Sequence, residues 1–133
     1  MYTISKTFSF CYGHRHLGVE HPCRHLHGHN GKITIVMQSP GLDQHGVVRD
    51  FDDLKKTIGV WITEHLDHTM ILSEHDPILP ALRAANERVL AVSFNPTSEN
   101  LARYVFENAR ALGLGVVRVD FCESETAKAS YGE

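Results

Sequence analysis

Apolar and polar residues alternate along positions 2–12. Tyr2, Ile4, Phe8, Phe10 and Tyr12 share one parity, while Thr3, Ser5, Thr7, Ser9 and Cys11 take the other. A period of two is that of a strand with one face buried. Carried on to residue 14, this strand puts His14 on the aromatic face. Gly18, Pro22 and several polar residues make 15–26 a loop. A second strand is predicted through Lys32-Ile33-Thr34-Ile35-Val36-Met37. Pro40-Gly41 opens a turn that Gly46 closes, and Val47-Val48 is expected to return as a short strand, completing a hairpin with a long loop.

The period then changes. Asp50 is placed to cap a helix at about 51–65, in which Phe51, Leu54, Ile58, Trp61, Ile62 and Leu66 follow helical spacing. That helix ends near Leu66-Asp67-His68. Residues 73–86, with Pro77 and Pro80, read as a loop with room for one helical turn, and Val89–Val92 as a third strand. Thr97 caps a second helix, and Glu99 brings negative charge to its first turn, where the helix dipole favours it. Leu101, Tyr104, Val105, Asn108 and Leu112 trace one face of this helix, and Gly113 stands where a C-terminal cap glycine belongs. Val116–Cys122 is the last strand, and Ser124–Glu133 a polar tail. With no repeat, low-complexity tract or linker, residues 1–133 read as a single domain. The order predicts an α+β architecture, a mainly antiparallel sheet with two helices on one face.

A chain of 133 residues can bury a real core, and its 42% hydrophobic and 22% charged residues are ordinary. Net charge is 13 − 16 = −3 with histidine neutral, and no basic run points to nucleic acid or an anionic membrane as partner. Three cysteines, odd in number and widely spaced, imply no disulfide framework. The first residues lack the apolar core of a signal peptide, and no apolar run reaches bilayer length. A cytoplasmic protein is expected.

Histidine is the compositional anomaly: ten in all, six of them between positions 14 and 29. In an extended segment His27 and His29 point to the same side, and neutral imidazole is a favoured zinc ligand. His14 is the candidate third ligand, although His16, His21 and His25 are rivals on spacing alone. Three histidines leave a fourth tetrahedral position for water or substrate, the pattern of a catalytic zinc site. The plainer alternative is a His-rich surface loop without metal. Cys23 can be a fourth ligand, a nucleophile, a base or an inert thiol; a cation nearby would favour its thiolate. Asp67-His68 offers an acid and an imidazole for proton transfer, or only polar residues after a helix. Glu123, after an apolar strand, is either solvated or able to pair bidentately with an amidine-like edge such as that of a 2-aminopyrimidinone ring.

Together these residues resemble the 6-pyruvoyl-tetrahydropterin synthase / 6-carboxy-tetrahydropterin synthase family over nearly the whole chain. The resemblance rests on Phe10…His14, Cys23-x-x-x-His27-Gly28-His29-Asn30, Gly46-Val47-Val48-Arg49-Asp50-Phe51, Leu66-Asp67-His68, Pro96-Thr97-Ser98-Glu99-Asn100 and Glu123…Tyr131. It implies a tunnelling fold, an antiparallel four-stranded sheet with two helices on one face. Three subunits would close a barrel and two barrels stack into a homohexamer, with sites between subunits. By resemblance, His14, His27 and His29 bind Zn2+, and Cys23 is the catalytic thiol with Asp67 and His68 as acid–base partners. Glu123 grips the pterin, helped by Thr97, Ser98 and Glu99.

The three-residue gap between Cys23 and His27 resembles the bacterial carboxy-forming branch. The implied activity is conversion of 7,8-dihydroneopterin triphosphate to 6-carboxy-5,6,7,8-tetrahydropterin, with release of acetaldehyde and triphosphate, towards queuosine and related deazapurines. Rival outcomes are pyruvoyl formation, aldol cleavage of dihydroneopterin, and a non-catalytic zinc- or pterin-binding paralogue. Tyr12-Gly13, Gly31 and Ser124 depart from the family pattern and bear on substrate fit more than on chemistry.

Overall fold

A computed structural model describes residues 1–133. Its elements in order are β1 (Tyr2–His14), β2 (His27–Ser39), α1 (Phe51–Leu54), α2 (Val60–His65), β3 (Thr69–Ser73), α3 (Leu79–Ala84), β4 (Val89–Val92), α4 (Ser98–Ala111), β5 (Val116–Cys122) and β6 (Lys128–Gly132). The strands form one sheet in the order β4-β3-β1-β2-β5-β6. Its backbone is the antiparallel β1–β2 ladder, running from Tyr2 opposite Ser39 to His14 opposite His27.

The alternation in β1 has the expected result. Phe10 and Tyr12 are buried against Ile33 and Ile35 of β2 and Val119 and Phe121 of β5, while Thr3, Ser5, Thr7 and Ser9 stay exposed on the other face. Helices cover the apolar face. α1 and α2 join through a π-helical turn, Lys55–Gly59, into one continuous stretch capped by the Asp50 carboxylate, which accepts from Asp52 N–H at 2.9 Å. Its buried residues Leu54, Ile58, Ile62 and Leu66 recur every fourth position. In a regular α-helix that spacing drifts by about 40° per step. The wider π turn absorbs part of the drift and keeps the four side chains on the sheet. α4 starts as predicted, with Thr97 Oγ1 accepting from Asn100 N–H at 3.2 Å, and ends before Gly113 at φ +85°.

Several expectations are corrected. Val47-Val48 is not a strand. Both edges of β2 are already taken, by β1 and β5, and the Asp43 carboxylate folds the connection back by accepting from His45 and Val47 N–H. The sheet has six strands rather than four, and it is mixed: β3 runs parallel to both β1 and β4. β3 is a short, buried, non-alternating apolar segment, so periodicity does not reveal it. The polar tail contains β6, whose Tyr131 packs edge-on against Phe106 at 5.0 Å and whose Ser130 donates to Asp120 at 2.6 Å. The buried face of α4 is Leu101, Ala102, Val105, Phe106 and Ala109; Leu112 lies outside it and is exposed. No helix is long and apolar enough to cross a membrane.

Candidate metal centre and the Asp67–His68 pair on the opposite face

The β1–β2 register builds the centre. It sets His14 directly opposite His27, with His29 opposite Tyr12 on the same face of the sheet. β5 runs beside β2, so Glu123, just past its end, arrives next to them. One ligand atom from each of His14, His27, His29 and Glu123 lies within 4.8 Å of all the others. His14 Nε2 is 3.1 Å from His29 Nε2, and Glu123 Oε1 is 3.3 Å from both. Of the rival histidines, His16 packs edge-on against His14 at 5.2 Å, whereas His21 and His25 serve the loop.

Carbonyl groups fix the ring tautomers. His14 Nδ1 is 2.7 Å from Pro96 O, and His27 Nδ1 is 2.7 Å from His25 O. A carbonyl can only accept, so each Nδ1 carries the proton and each Nε2 presents its lone pair. Burial, opposed by the Pro96 carbonyl, pushes His14 down to about 4. Burial also lowers His29, against the pull of Glu123. Three convergent imidazoles and an adjacent carboxylate form a donor set that fits a divalent cation such as zinc. The exit from His14 is tethered by Arg15, whose guanidinium pairs with buried Asp76 (Nε to Oδ2, 2.8 Å), and by Leu17 N–H donating to Asn95 Oδ1.

A cavity of about 200 Å³ opens beside Glu123, lined by His16, Ser98, Glu99, Ala127, Lys128 and Ala129. Three of the four residues expected to bind substrate therefore share one wall. Thr97 is not among them, because its oxygen caps α4. Tyr12 Oη and His16 Nε2, both buried and unpaired, are further polar atoms near the centre; His16 is a rival on spacing, whereas Tyr12 is marked only by its departure from the family pattern. Burial, reinforced by Glu123, raises the Tyr12 phenol far above its ordinary value, so it stays protonated.

Cys23 lies half-buried in a short 3₁₀ turn, Pro22–Arg24, whose carbonyl at Cys23 accepts from His16 N–H at 2.9 Å. The Asp67–His68 pair forms, with His68 Nδ1 3.0 Å from Asp67 Oδ2, but on the other side of the sheet. It meets β1 at Cys11, whose parity is opposite to that of His14. Cys11 N–H donates to Asp67 Oδ1 at 2.9 Å, and His68 N–H donates to Cys11 O at 2.7 Å. Partial burial raises the Asp67 carboxyl, but the Cys11 N–H, the His68 ring and the Cys11 thiol outweigh it and hold it below its ordinary value. One chain thus brings the three histidines together with Glu123, and Asp67 together with His68, but does not join the two groups. The thiol beside Asp67–His68 is Cys11; no motif marked it.

The sequence model of the family described as 6-pyruvoyl tetrahydropterin synthase matches residues 3–133. The chain is 33% identical to the 6-carboxy-5,6,7,8-tetrahydropterin synthase of Aquifex aeolicus, over 98% of this chain and 97% of that one. It is 31% identical to the enzyme of the same name from Haemophilus influenzae, over 92% and 98% respectively. A crystal structure of an uncharacterized Wolinella succinogenes protein superposes with a TM-score of 0.84 at 30% identity, covering 99% and 98% of the two chains. The Caenorhabditis elegans 6-pyruvoyl tetrahydropterin synthase shares the fold, with a TM-score of 0.75 at 20% identity over 99% and 95%. The chain belongs to the 6-pyruvoyl tetrahydropterin synthase family of pterin lyases, and its fold is the tunnelling fold.

Proposed function

We propose that this chain is a zinc-dependent lyase that converts 7,8-dihydroneopterin triphosphate to 6-carboxy-5,6,7,8-tetrahydropterin, releasing acetaldehyde and triphosphate, in the route to queuosine and related deazapurines. The observation that carries the reading is the convergence of His14, His27 and His29 next to the cavity walled by Ser98, Glu99 and Glu123. The names of the curated relatives support the carboxy product, as does the three-residue gap after Cys23.

His14, His27 and His29 would hold the zinc, which supplies Lewis acidity towards the side-chain hydroxyls of the substrate. Glu123 turns its carboxylate to the pyrimidine edge of the pterin, with Ser98 and Glu99 beside it. Thr97 acts indirectly, by fixing the start of α4. Cys23, as thiolate, takes a proton from a side-chain carbon; His68, oriented by Asp67, serves the complementary transfer. Because Asp67–His68 faces away from the histidines of its own chain, a second copy must supply that pair. The family resemblance extends this to a homohexamer, a dimer of trimers with sites between subunits, acting on a small molecule, and the unpaired cysteines accord with a cytoplasmic setting.

The test is a product assay. Reduced, zinc-loaded protein is incubated anaerobically with 7,8-dihydroneopterin triphosphate and the pterin identified by mass spectrometry. A 6-carboxy product with acetaldehyde is expected. A pyruvoyl product would move the chain to the other branch. Binding of the pterin without conversion would make it a non-catalytic paralogue.

A further inference from the structure

Glu123 faces the histidines and the cavity at once, and one of these relations has to yield. Its Oε1 is 3.3 Å from Nε2 of both His14 and His29, and those two nitrogens are 3.1 Å apart. Ligands bonded tetrahedrally to one zinc at about 2.0–2.1 Å are spaced by roughly 3.3 Å. The carboxylate therefore stands where a fourth ligand would, and there it would close the position a substrate needs. We infer that the Tyr12 hydroxyl draws Glu123 off that position, as a buried hydrogen-bond donor that holds the carboxylate away from a bound cation and turned to the cavity. Tyr12 is then a positioning residue. Its role rests on the reading of Glu123 as the ligand anchor, and frees Glu123 for that task.

Three features carry this. Tyr12 is only 4% exposed, and its hydroxyl is buried without a partner. The ring stacks on Phe10 at 5.1 Å and meets Phe121 edge-on at 5.5 Å, contacts that phenylalanine would make equally well. A buried hydroxyl left unpaired costs free energy, so it points to a partner gained in another state of the site. There is also a path to Glu123. Tyr12 lies on β1 and Glu123 just past β5, with β2 between them. Lys32 pairs with Cys122, so the next step of that ladder brings Gly31 level with Glu123. A Cβ added at Gly31 would lie 2.9 Å from the Phe10 ring and 3.0 Å from the Tyr12 ring. Both rings thus lean over β2 through the space that glycine leaves, and Tyr12 reaches the β5 side. Finally, the chemistry matches. Burial first, and then the Glu123 carboxylate, keep the phenol protonated, and a phenol O–H donates well to a carboxylate.

The experiment is a titration of the metal-free full-length protein with Co2+, read by the visible ligand-field bands of the bound ion. Wild type, Tyr12→Phe, Glu123→Gln and the double variant are compared. Tyr12→Phe is expected to change the bands and to bind Co2+ about 10-fold more tightly, because Glu123, without its donor, becomes a ligand. Glu123→Gln alone should leave the wild-type bands in place, and added to Tyr12→Phe it should restore them. Three results overturn the inference: Tyr12→Phe bands identical to wild type, wild-type bands altered by Glu123→Gln, or no Co2+ binding by the wild type. Phenylalanine keeps the stack, so metal-free Tyr12→Phe should melt no lower than wild type. A lower melting temperature would mean that the hydroxyl already has a partner, and would overturn the inference too. No pterin enters these measurements. A failed product assay alongside the expected spectra removes the pterin reading and leaves the Tyr12–Glu123 pair standing.

Discussion

The Nδ1 proton of His14 is held by the carbonyl of Pro96, 2.7 Å away and 82 residues along the chain. The loop before α4 thereby aims a ring at the end of β1, and its Nε2 faces His29 and Glu123. Burial keeps this ring neutral, with its pKa near 4, below the 6.5 of the unfolded chain.

That shift predicts a pH dependence for the metal-free protein. Between pH 6.5 and about 4 the unfolded chain takes up the His14 proton and the folded chain does not. The stability contribution is therefore full above pH 6.5 and is lost as pH falls towards 4, by up to about 3 kcal/mol. Urea denaturation at pH 7 and pH 5 should show the fall, and His14→Gln should flatten it. An unchanged pH slope in His14→Gln would refute the assignment.

Cys23→Ala should retain zinc and fold but lose turnover by about 100-fold or more. Metal content and product formation, measured on the same preparation, check this. Full activity would remove the thiol from the mechanism.

Glu123 touches the histidines and also walls the cavity, so its variant separates two roles. As the pterin anchor, Glu123→Gln should raise KM and lower kcat/KM by about 10- to 100-fold, worth about 1.5–3 kcal/mol, with zinc content unchanged. Loss of zinc instead would make it a ligand.

Separate faces within one chain predict complementation between chains. Cys23→Ala and His68→Ala proteins should each be inactive. Mixed oligomers refolded from equal amounts should recover up to about one quarter of wild-type activity, the fraction of sites drawing both good halves. No recovery in verified mixed oligomers would argue against shared sites.

The core readings are open to a stability test. Ile58→Ala, at a fully buried position under the sheet, should cost about 2–5 kcal/mol. Leu112→Ala, on an exposed side chain, should stay within about 0.5 kcal/mol. Chemical denaturation of both checks that Ile58 is buried against the sheet and that Leu112 lies outside the buried face of α4.

The sequence made the histidine centre legible because its three rings lie on strands whose alternation is strong. Parity alone puts His14 with the aromatic residues and pairs His27 with His29. The helix starts were legible through Asp50 and Thr97, each of which caps as its chemistry suggests. What stayed hidden depends on pairing partners. β3 is too short and too uniformly apolar to show a period, and without it nothing places Asp67 and His68 against Cys11. β6 looked like a tail because its anchors, Ser130 on Asp120 and Tyr131 on Phe106, exist only after folding. The Val47-Val48 strand failed for the converse reason: its local pattern was right, but β2 had no edge to offer.

The thirteen-residue pairing of β1 with β2 places His14 across from His27 at its last rung. A slip of one residue anywhere along it would turn His27 and His29 to the outer face and leave His14 inside. A cation that needs all three rings therefore senses an alignment error made as far as 12 residues away, at Tyr2 and Ser39. Metal capture would act as a proofreading step for the longest hairpin, rewarding only chains that have zipped in the correct frame.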